Sequence, residues 1–250
     1  NWSLDLGTAV PSSGALGTLA DGTTYDVTAT VTDAAGNATA DATSGELTIN
    51  VPPAAPTVDS FSDDTGATGD SITNDNTPAF SGTAEANSSV EVILDGNSLG
   101  TITADGGGNW TLPASAIPLA DGTYNITAIA TDGTGIASPA SAPLPITIDA
   151  TAPAATPTVE ALTTGDTTPV LSGTATLGTG ETLSVEINGA TYNNVPVDGS
   201  GNWTLDLETV VPDSGAFTAL TDGTYNVTAT ITDVAGNTTV DSTTNELVID

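Results

Sequence analysis

Carboxylates are the only side chains of this 250-residue chain that carry charge at neutral pH: Asp and Glu number 31, Lys, Arg and His are absent, and the formal charge is -31. Such a set can do two kinds of chemistry. Carboxylate and amide oxygens can gather six to eight ligands around a calcium ion, or a pair of carboxylates can act on a glycosidic bond. For the first, the candidates are Asp75, Asp121 and Asp149, expected at one pole of a domain, facing Asp198, Asp233 and Asn237 at the opposing pole of the next. No positive charge exists beyond the terminal amine, so clustered carboxylates must repel, protonate or recruit cations. Any one of these Asp residues reads equally as a turn former; the set gathered at a joint is what points to Ca²⁺. For the second, Asp63-Asp64 or Glu85 with Glu91 are the nominal pairs, but neither lies in a non-repeated insertion large enough to build a pocket. The chain therefore reads as non-catalytic. With no Cys and no His there is no thiol or imidazole nucleophile and no zinc site of that type, and with no Lys there is no Schiff base. A chain without basic residues also offers nothing to a phosphate backbone, which excludes nucleic acid as the partner.

The elements that must position these residues are set by repetition. Residues 2–50 return almost residue for residue at 203–250, offset by 201 early and by 200 after the one-residue insertion in DGTTY. A more divergent copy lies between them, sharing GNWT (108–111 and 201–204, the first glycine included) and DGTY (121–124 and 222–225). The unit is about 100 residues long, in two alternating types. Pro-rich stretches, PPAAPTV at 52–58 and APAATPTV at 152–159, mark the joints and give units at 1–51, 52–151 and 152–250, the first being only the second half of a unit. Within a unit the apolar period is two, as in TYNVTATIT at 224–232, and Asp-Gly or Gly-Asn turns interrupt the runs every eight to twelve residues. The spacing predicts strands at 56–61, 77–85, 89–95, 98–104, 109–114, 123–131 and 142–149 in the second unit. In the third they fall at 157–162, 168–176, 182–188, 191–197, 202–208, 224–232 and 245–250. Seven short strands per unit predict an all-β chain of tandem Ig-like β-sandwiches forming an elongated rod. Trp2, Trp110 and Trp203, with Tyr25, Tyr124 and Tyr225, recur at fixed places in the repeat and are expected as packing anchors rather than ligand platforms. Apolar residues make up 38%, enough for cores without disulfides, and no apolar run reaches the length of a membrane span.

In this order and spacing, NDNTPAFSGTAEANSSVEVILDG, GNWTLP, LADGTYNITAIATD and TDVAGN resemble the bacterial Ig-like repeats of giant RTX-type surface adhesins and biofilm-associated proteins. The resemblance covers essentially the whole chain. It implies an extracellular stalk at the surface of a Gram-negative cell, built of tandem sandwiches and stiffened by calcium between domains, with any secretion signal outside this chain. Two departures bear on calcium at the first joint: the second unit has TDGTG at 131–135 where the family has TDAAGN, and the joint reads INVPPAAP where the family typically has an Asp.

Two functional classes follow. One is a spacer or filament segment whose partners are neighbouring repeats of the same or an adjacent chain, with other cells or surfaces reached through regions outside it. The other is a module that binds carbohydrate or a cell surface through a loop. Near-identity of units 200 residues apart favours the first, because scaffolds repeat whereas recognition loops are usually unique. The longer segment at 208–220, matched by 7–19, is the candidate for lateral contacts. A half unit at 1–51 leaves apolar faces and strand edges uncovered, and something must complete it: residues preceding it in a longer chain, or strands of a neighbouring subunit. The eight Asn-x-Ser/Thr sequons are expected from a composition rich in Asn and Thr. Absence of Lys and Arg predicts resistance to trypsin.

Overall fold

Alternating Thr and β-branched or aliphatic residues suit a pleated surface with one wet face, and they form strands throughout. The computed structural model describes residues 3–114 and 117–250; of the expected anchors, Trp2 lies outside the described residues. Residues 3–51 carry four short strands: β1 (Thr24–Tyr25), β2 (Thr30–Thr32), β3 (Ala38–Ala40) and β4 (Leu47–Thr48). The second unit holds β5 (Ser60–Phe61), β6 (Ile72–Thr73), β7 (Phe80–Thr83), β8 (Ser89–Leu94), β9 (Asn97–Thr103), β10 (Asn109–Leu112), β11 (Gly122–Thr131) and β12 (Leu144–Ile148). The third holds β13 (Thr158–Val159), β14 (Leu162–Thr164), β15 (Val170–Thr174), β16 (Thr182–Ile187), β17 (Ala190–Tyr192), β18 (Asn202–Asp206), β19 (Gly223–Tyr225), β20 (Val227–Thr232), β21 (Thr238–Val240) and β22 (Leu247–Ile249). No helix occurs among the described residues.

Two layers of strands face each other in each full unit. In the second, the order β10-β7-β5 stands against β6-β12-β11-β8-β9; in the third, β13-β15-β18 stands against two sheets, β14-β22-β19 and β17-β16-β20-β21. All pairings are antiparallel except β6 with β12 and β14 with β22. The parallel pairs explain the main departure from the expected first strand. The expected strand at 157–162 is replaced by two short pieces, β13 and β14, one paired in each layer; in the second unit β5 forms within the expected 56–61, and the piece that joins the other layer, β6, comes later, at 72–73. The expected final strand at 245–250 forms as β22, a further strand, β21, pairs with β20, and the expected strand at 224–232 is interrupted at Asn226 into β19 and β20. At that break, carboxylates replace backbone partners: Val227 N–H donates to Glu246 Oε2 at 3.1 Å, and Ala229 N–H to Asp241 Oδ1 at 2.7 Å. The corresponding strand β11 of the second unit runs unbroken for ten residues; Pro145 stands where the third unit has Glu246, and Ser141 Oγ accepts from Ala128 N–H at 2.9 Å as Asp241 does from Ala229.

Each full unit has its own apolar core. Phe80, Val90, Val92, Trp110, Ile126 and Ile146 fill one; Leu171, Val185, Tyr192, Trp203, Ile231 and Leu247 fill the other. Gly82 and Gly173 lie under the Trp rings, where a Cβ would approach Trp110 and Trp203 to 2.7 Å. The expected packing role of both tryptophans is thus met. Tyr124 and Tyr225 are only part-buried and donate their hydroxyls to Ala120 O and Thr221 O, both at 2.9 Å, tying each strand to the segment that leads into it.

Candidate functional site at the joint of the two full units

Five short loops share one pattern, Asp-x-x-Gly-x, at 33–37, 105–109, 132–136, 198–202 and 233–237, the last residue being Asn in four and Ile136 in one. In each, the Asp carboxylate accepts the backbone N–H four residues on, at 2.8 to 2.9 Å. The glycine lies at φ between 84° and 90°, a left-handed conformation that a side chain disfavours. In the loops of Asp33, Asp105, Asp132 and Asp198 these hydrogen bonds favour the ionised form. Asp198 is held below the usual carboxylate value by the N–H of Asn202, its side-chain amide and the N–H of Ser200. Asp105 is lowered by the N–H groups of Asn109 and Gly107, and Asp33 by the side chain and N–H of Asn37.

One of these loops, 233–237, is also a docking surface. Asn237 Nδ2 donates to Asp233 Oδ2 at 2.9 Å within the loop and to Asp149 O at 2.7 Å across the joint. Thr239 Oγ1 donates to Pro153 O at 2.7 Å. From the second unit, the loop between β5 and β6 reaches over: Thr65 Oγ1 donates to Ala235 O at 2.6 Å. Gly66 follows at φ 69°, and a Cβ there would sit 2.1 Å from Val234 O, so only glycine lets the two backbones meet. The loop is tied to its own unit through Thr73, whose hydroxyl donates to Asp63 O and accepts from Asp75 N–H at 3.0 Å. Asp64 Oδ2 accepts from Gly69 N–H at 2.5 Å, while its Oδ1 is buried with no hydrogen-bond partner.

Of the six residues proposed from the sequence as calcium ligands, the structure brings Asp149, Asp233 and Asn237 together, Asp149 through its main-chain carbonyl. The other three serve elsewhere. Asp121 accepts from Ala150 N–H at 2.9 Å and from the Thr151 hydroxyl, bracing the linker, and these donors, the hydroxyl first, hold its pKa down. Asp75 accepts from Thr77 N–H at 2.9 Å and from Ser62 Oγ at 3.3 Å. Asp198 closes its own turn. No group of three or more carboxylates placed to hold one metal ion occurs among the described residues. Sequence reasoning missed Thr65, Gly66 and Thr239. The signal available was length: the stretch from Phe61 to Phe80 is about eight residues longer than that from Val159 to Val170, and it carries two glycines within DDTGATGD.

The joint between residues 3–51 and the second unit is different. Asn50 stands in the place of Asp149, and its Nδ2 donates to Thr134 Oγ1 at 2.5 Å; Ile136 stands in the place of Asn237. Val51 N–H donates to Asp21 Oδ1 at 2.8 Å, as Ala150 does to Asp121. The Asn237 amide and the Asp149 carboxylate of the second joint thus have no counterpart at the same places in the first.

Comparisons with known proteins bear on the fold. Residues 52–150 and 159–250 each match the family described as bacterial Ig-like domain. No curated protein matches the chain in sequence. Among solved structures, the fibronectin(III)-like modules of Clostridium thermocellum CbhA are similar at 14% identity and a TM-score of 0.45, over 78% of this chain and 94% of that one. A biofilm associated protein BSP domain is similar at 19% identity and 0.25, over 71% of this chain and 28% of that one. A Bacteroides ovatus mixed-linkage glucan utilization protein, SGBP-B, solved with a heptasaccharide, is similar at 15% identity and 0.25, over 92% of this chain and 54% of that one.

Proposed function

The chain belongs to the bacterial Ig-like domain family, and from that premise we propose that it is a non-catalytic structural segment of an extracellular surface adhesin of the RTX type, a rod of sandwiches that extends a binding region away from the cell. The observation that carries this reading is the built joint: a loop of one unit, with a glycine at the point of backbone contact, seats on a turn of the next. A flexible string of domains has no need of such a contact, whereas a spacer that must hold its length does. The units proposed are the sequence-defined ones, 1–51, 52–151 and 152–250, and the proposed place of work is the extracellular cell surface, as the resemblance to surface adhesins implies.

Calcium is proposed to reinforce the second joint. The Asn237 amide N–H group now lies between two oxygens, Asp149 O and Asp233 Oδ2, and a cation there would need that amide to present its oxygen instead. Asp149, Asp233 and Asn237 are the residues that would hold it. The ion would supply charge neutralisation and directional oxygen coordination between the two units. Main-chain carbonyls and water would have to complete the shell, since no third carboxylate converges with these among the described residues. Binding to the folded state alone stabilises as RT ln(1 + [L]/Kd), about 2.7 kcal/mol at a hundredfold excess over Kd. Melting and small-angle scattering of the chain in calcium and in chelator test this, with Asp149→Ala and Asp63→Ala compared. A calcium-dependent gain in melting temperature and length that Asp149→Ala abolishes and Asp63→Ala preserves is expected. Identical curves with and without calcium would leave the rod to hydrogen bonds alone.

A further inference from the structure

The two parallel pairings, β6 with β12 and β14 with β22, each join the segment that enters a full unit to the strand that leaves it. In the third unit Leu162 lies opposite Leu247, Thr163 opposite Val248 and Thr164 opposite Ile249. The ladder is closed at its ends by Leu162 N–H, which donates to Glu246 O at 2.7 Å, and by Asp250 N–H, which donates to Thr164 O at 3.2 Å. Tension along the chain pulls β14 toward the start of the unit and β22 toward its end. Because the strands are parallel, these pulls slide one along the other, and the evenly spaced hydrogen bonds between them are strained together. Strands pulled apart from neighbouring ends open instead like a zip, one bond at a time.

The entering segment of the third unit is held in the other layer as well. β13 pairs with β15, Glu160 N–H donates to Ser172 O at 2.9 Å, and Thr158 O accepts from Trp203 Nε1 at 3.1 Å. Glu160 is bonded to one layer and Leu162 to the other, so Ala161 alone separates the two anchorages. A pull arriving from the joint cannot strain one without the other. In the second unit the corresponding anchorages lie apart: Ser62 N–H donates to Ala79 O at 2.9 Å in one layer, and Ser71 O accepts from Thr147 N–H at 2.8 Å in the other. Between them run residues 63–70, the loop that carries Thr65 and Gly66. Threonine hydroxyls hold this loop, Thr73 to Asp63 O and Thr65 to Ala235 O, so its slack is drawn out only after β5 has let go. The parallel ladder of the second unit is also shorter, two opposed residues against three.

We propose that β14 and β22 form a tension clamp, and that the third unit outlasts the second when the chain is stretched. In the third unit both layers must shear in one event; in the second, β5 and then β6 yield in turn. Core packing is met later: Ile231, with no exposed surface, stays packed until the clamp has gone. The further function assigned is resistance to stretching. It follows from the pairing topology and holds or fails independently of calcium and of the adhesin reading.

The test stretches the full chain at constant force between its two ends and reads the rate at which each full unit yields, the quantity that governs forced unfolding. The third unit is expected to give the slower of the two steps. Leu162→Pro removes the N–H that bonds Glu246 O; it should quicken the slower step by about fivefold, the factor set by one hydrogen bond of average worth, and leave the other step unchanged. Ile231→Val should change the slower step by less than about twofold, because a contact still formed when the barrier is crossed leaves the unfolding rate alone. A second measurement needs no variant of the clamp. Asn188→Cys, in the turn between β16 and β17, gives the chain a single cysteine as a handle. Ile187 lies opposite Val227 and Ile249 opposite Gly223, so β16 and β22 end toward the same edge of the unit, and pulling position 188 against Asp250 unzips the strands from there. At the same force the third unit should then yield about tenfold faster or more, since its bonds are no longer strained together. Quickening of the faster step by Leu162→Pro, equal effects of Leu162→Pro and Ile231→Val on the slower step, or equal rates in the two pulling directions would each overturn the proposal.

Discussion

Gly66→Ala should uncouple the two full units without unfolding either. At φ 69°, any L side chain costs about 1–2 kcal/mol of local strain. The new Cβ would also lie 2.1 Å from Val234 O, and neither backbone can yield cheaply: Val234 is inside the turn closed by Asp233, and the 63–66 loop is tied down through Thr73. The contact must therefore open. Opening removes the Thr65 to Ala235 hydrogen bond, worth about 1 kcal/mol, and opens to water the bonds from Asn237 to Asp149 and from Thr239 to Pro153, each worth about the same. A loss of about 1–3 kcal/mol shifts a closed joint by a factor of roughly 5–150. Gly69→Ala is the matched comparison, since Gly69 lies in the same loop at φ 91° with nothing within 4 Å of its Cβ position. Both variants carry the backbone strain, and only Gly66→Ala carries the clash. ¹⁵N relaxation should show shorter local correlation times for the two full units in Gly66→Ala and unchanged ones in Gly69→Ala, with both cores still formed. Indistinguishable relaxation in the two variants would refute the steric reasoning.

The two tryptophans should respond differently to truncation. Trp203 Nε1 donates to Thr158 O at 3.1 Å, whereas buried Trp110 Nε1 has no partner, so Trp203→Phe should cost about 1–3 kcal/mol more than Trp110→Phe in urea unfolding. Acid should destabilise the chain through its turn carboxylates. Asp33, Asp105 and Asp198 titrate lower folded than unfolded, so their contribution is present above the ordinary carboxylate range and is lost as pH falls through the depressed values. The urea midpoint should fall below about pH 4, and Asp198→Asn should flatten that fall.

Most of the sandwich was legible because period-two alternation and turn residues are local properties, and three copies of one pattern reinforce one another. Trp110 and Trp203 were identifiable as core for that reason. What remained hidden depends on pairings between distant residues. The split of the first strand into β13 and β14 follows from which sheet each piece joins, and nothing in PTVEALTT announces the crossing. Tyr192, buried in the third core, sits in a short polar run that gave no signal of its own. The acidic residues could be placed at the poles but not told apart by role, because Asp198 and Asp233 close identical turns and only the second lies where a neighbouring carbonyl, that of Asp149, completes a contact. Thr65 and Gly66 were invisible as contact residues because their partners are about 170 residues away.

A spacer with a built joint requires the two full units to move as one rigid piece of rod. Residual dipolar couplings of residues 60–148 and 159–249, measured in one aligned sample, test it most directly. One shared alignment tensor fitting both units is the predicted result; two tensors of different magnitude, the mark of independent reorientation, would contradict the account.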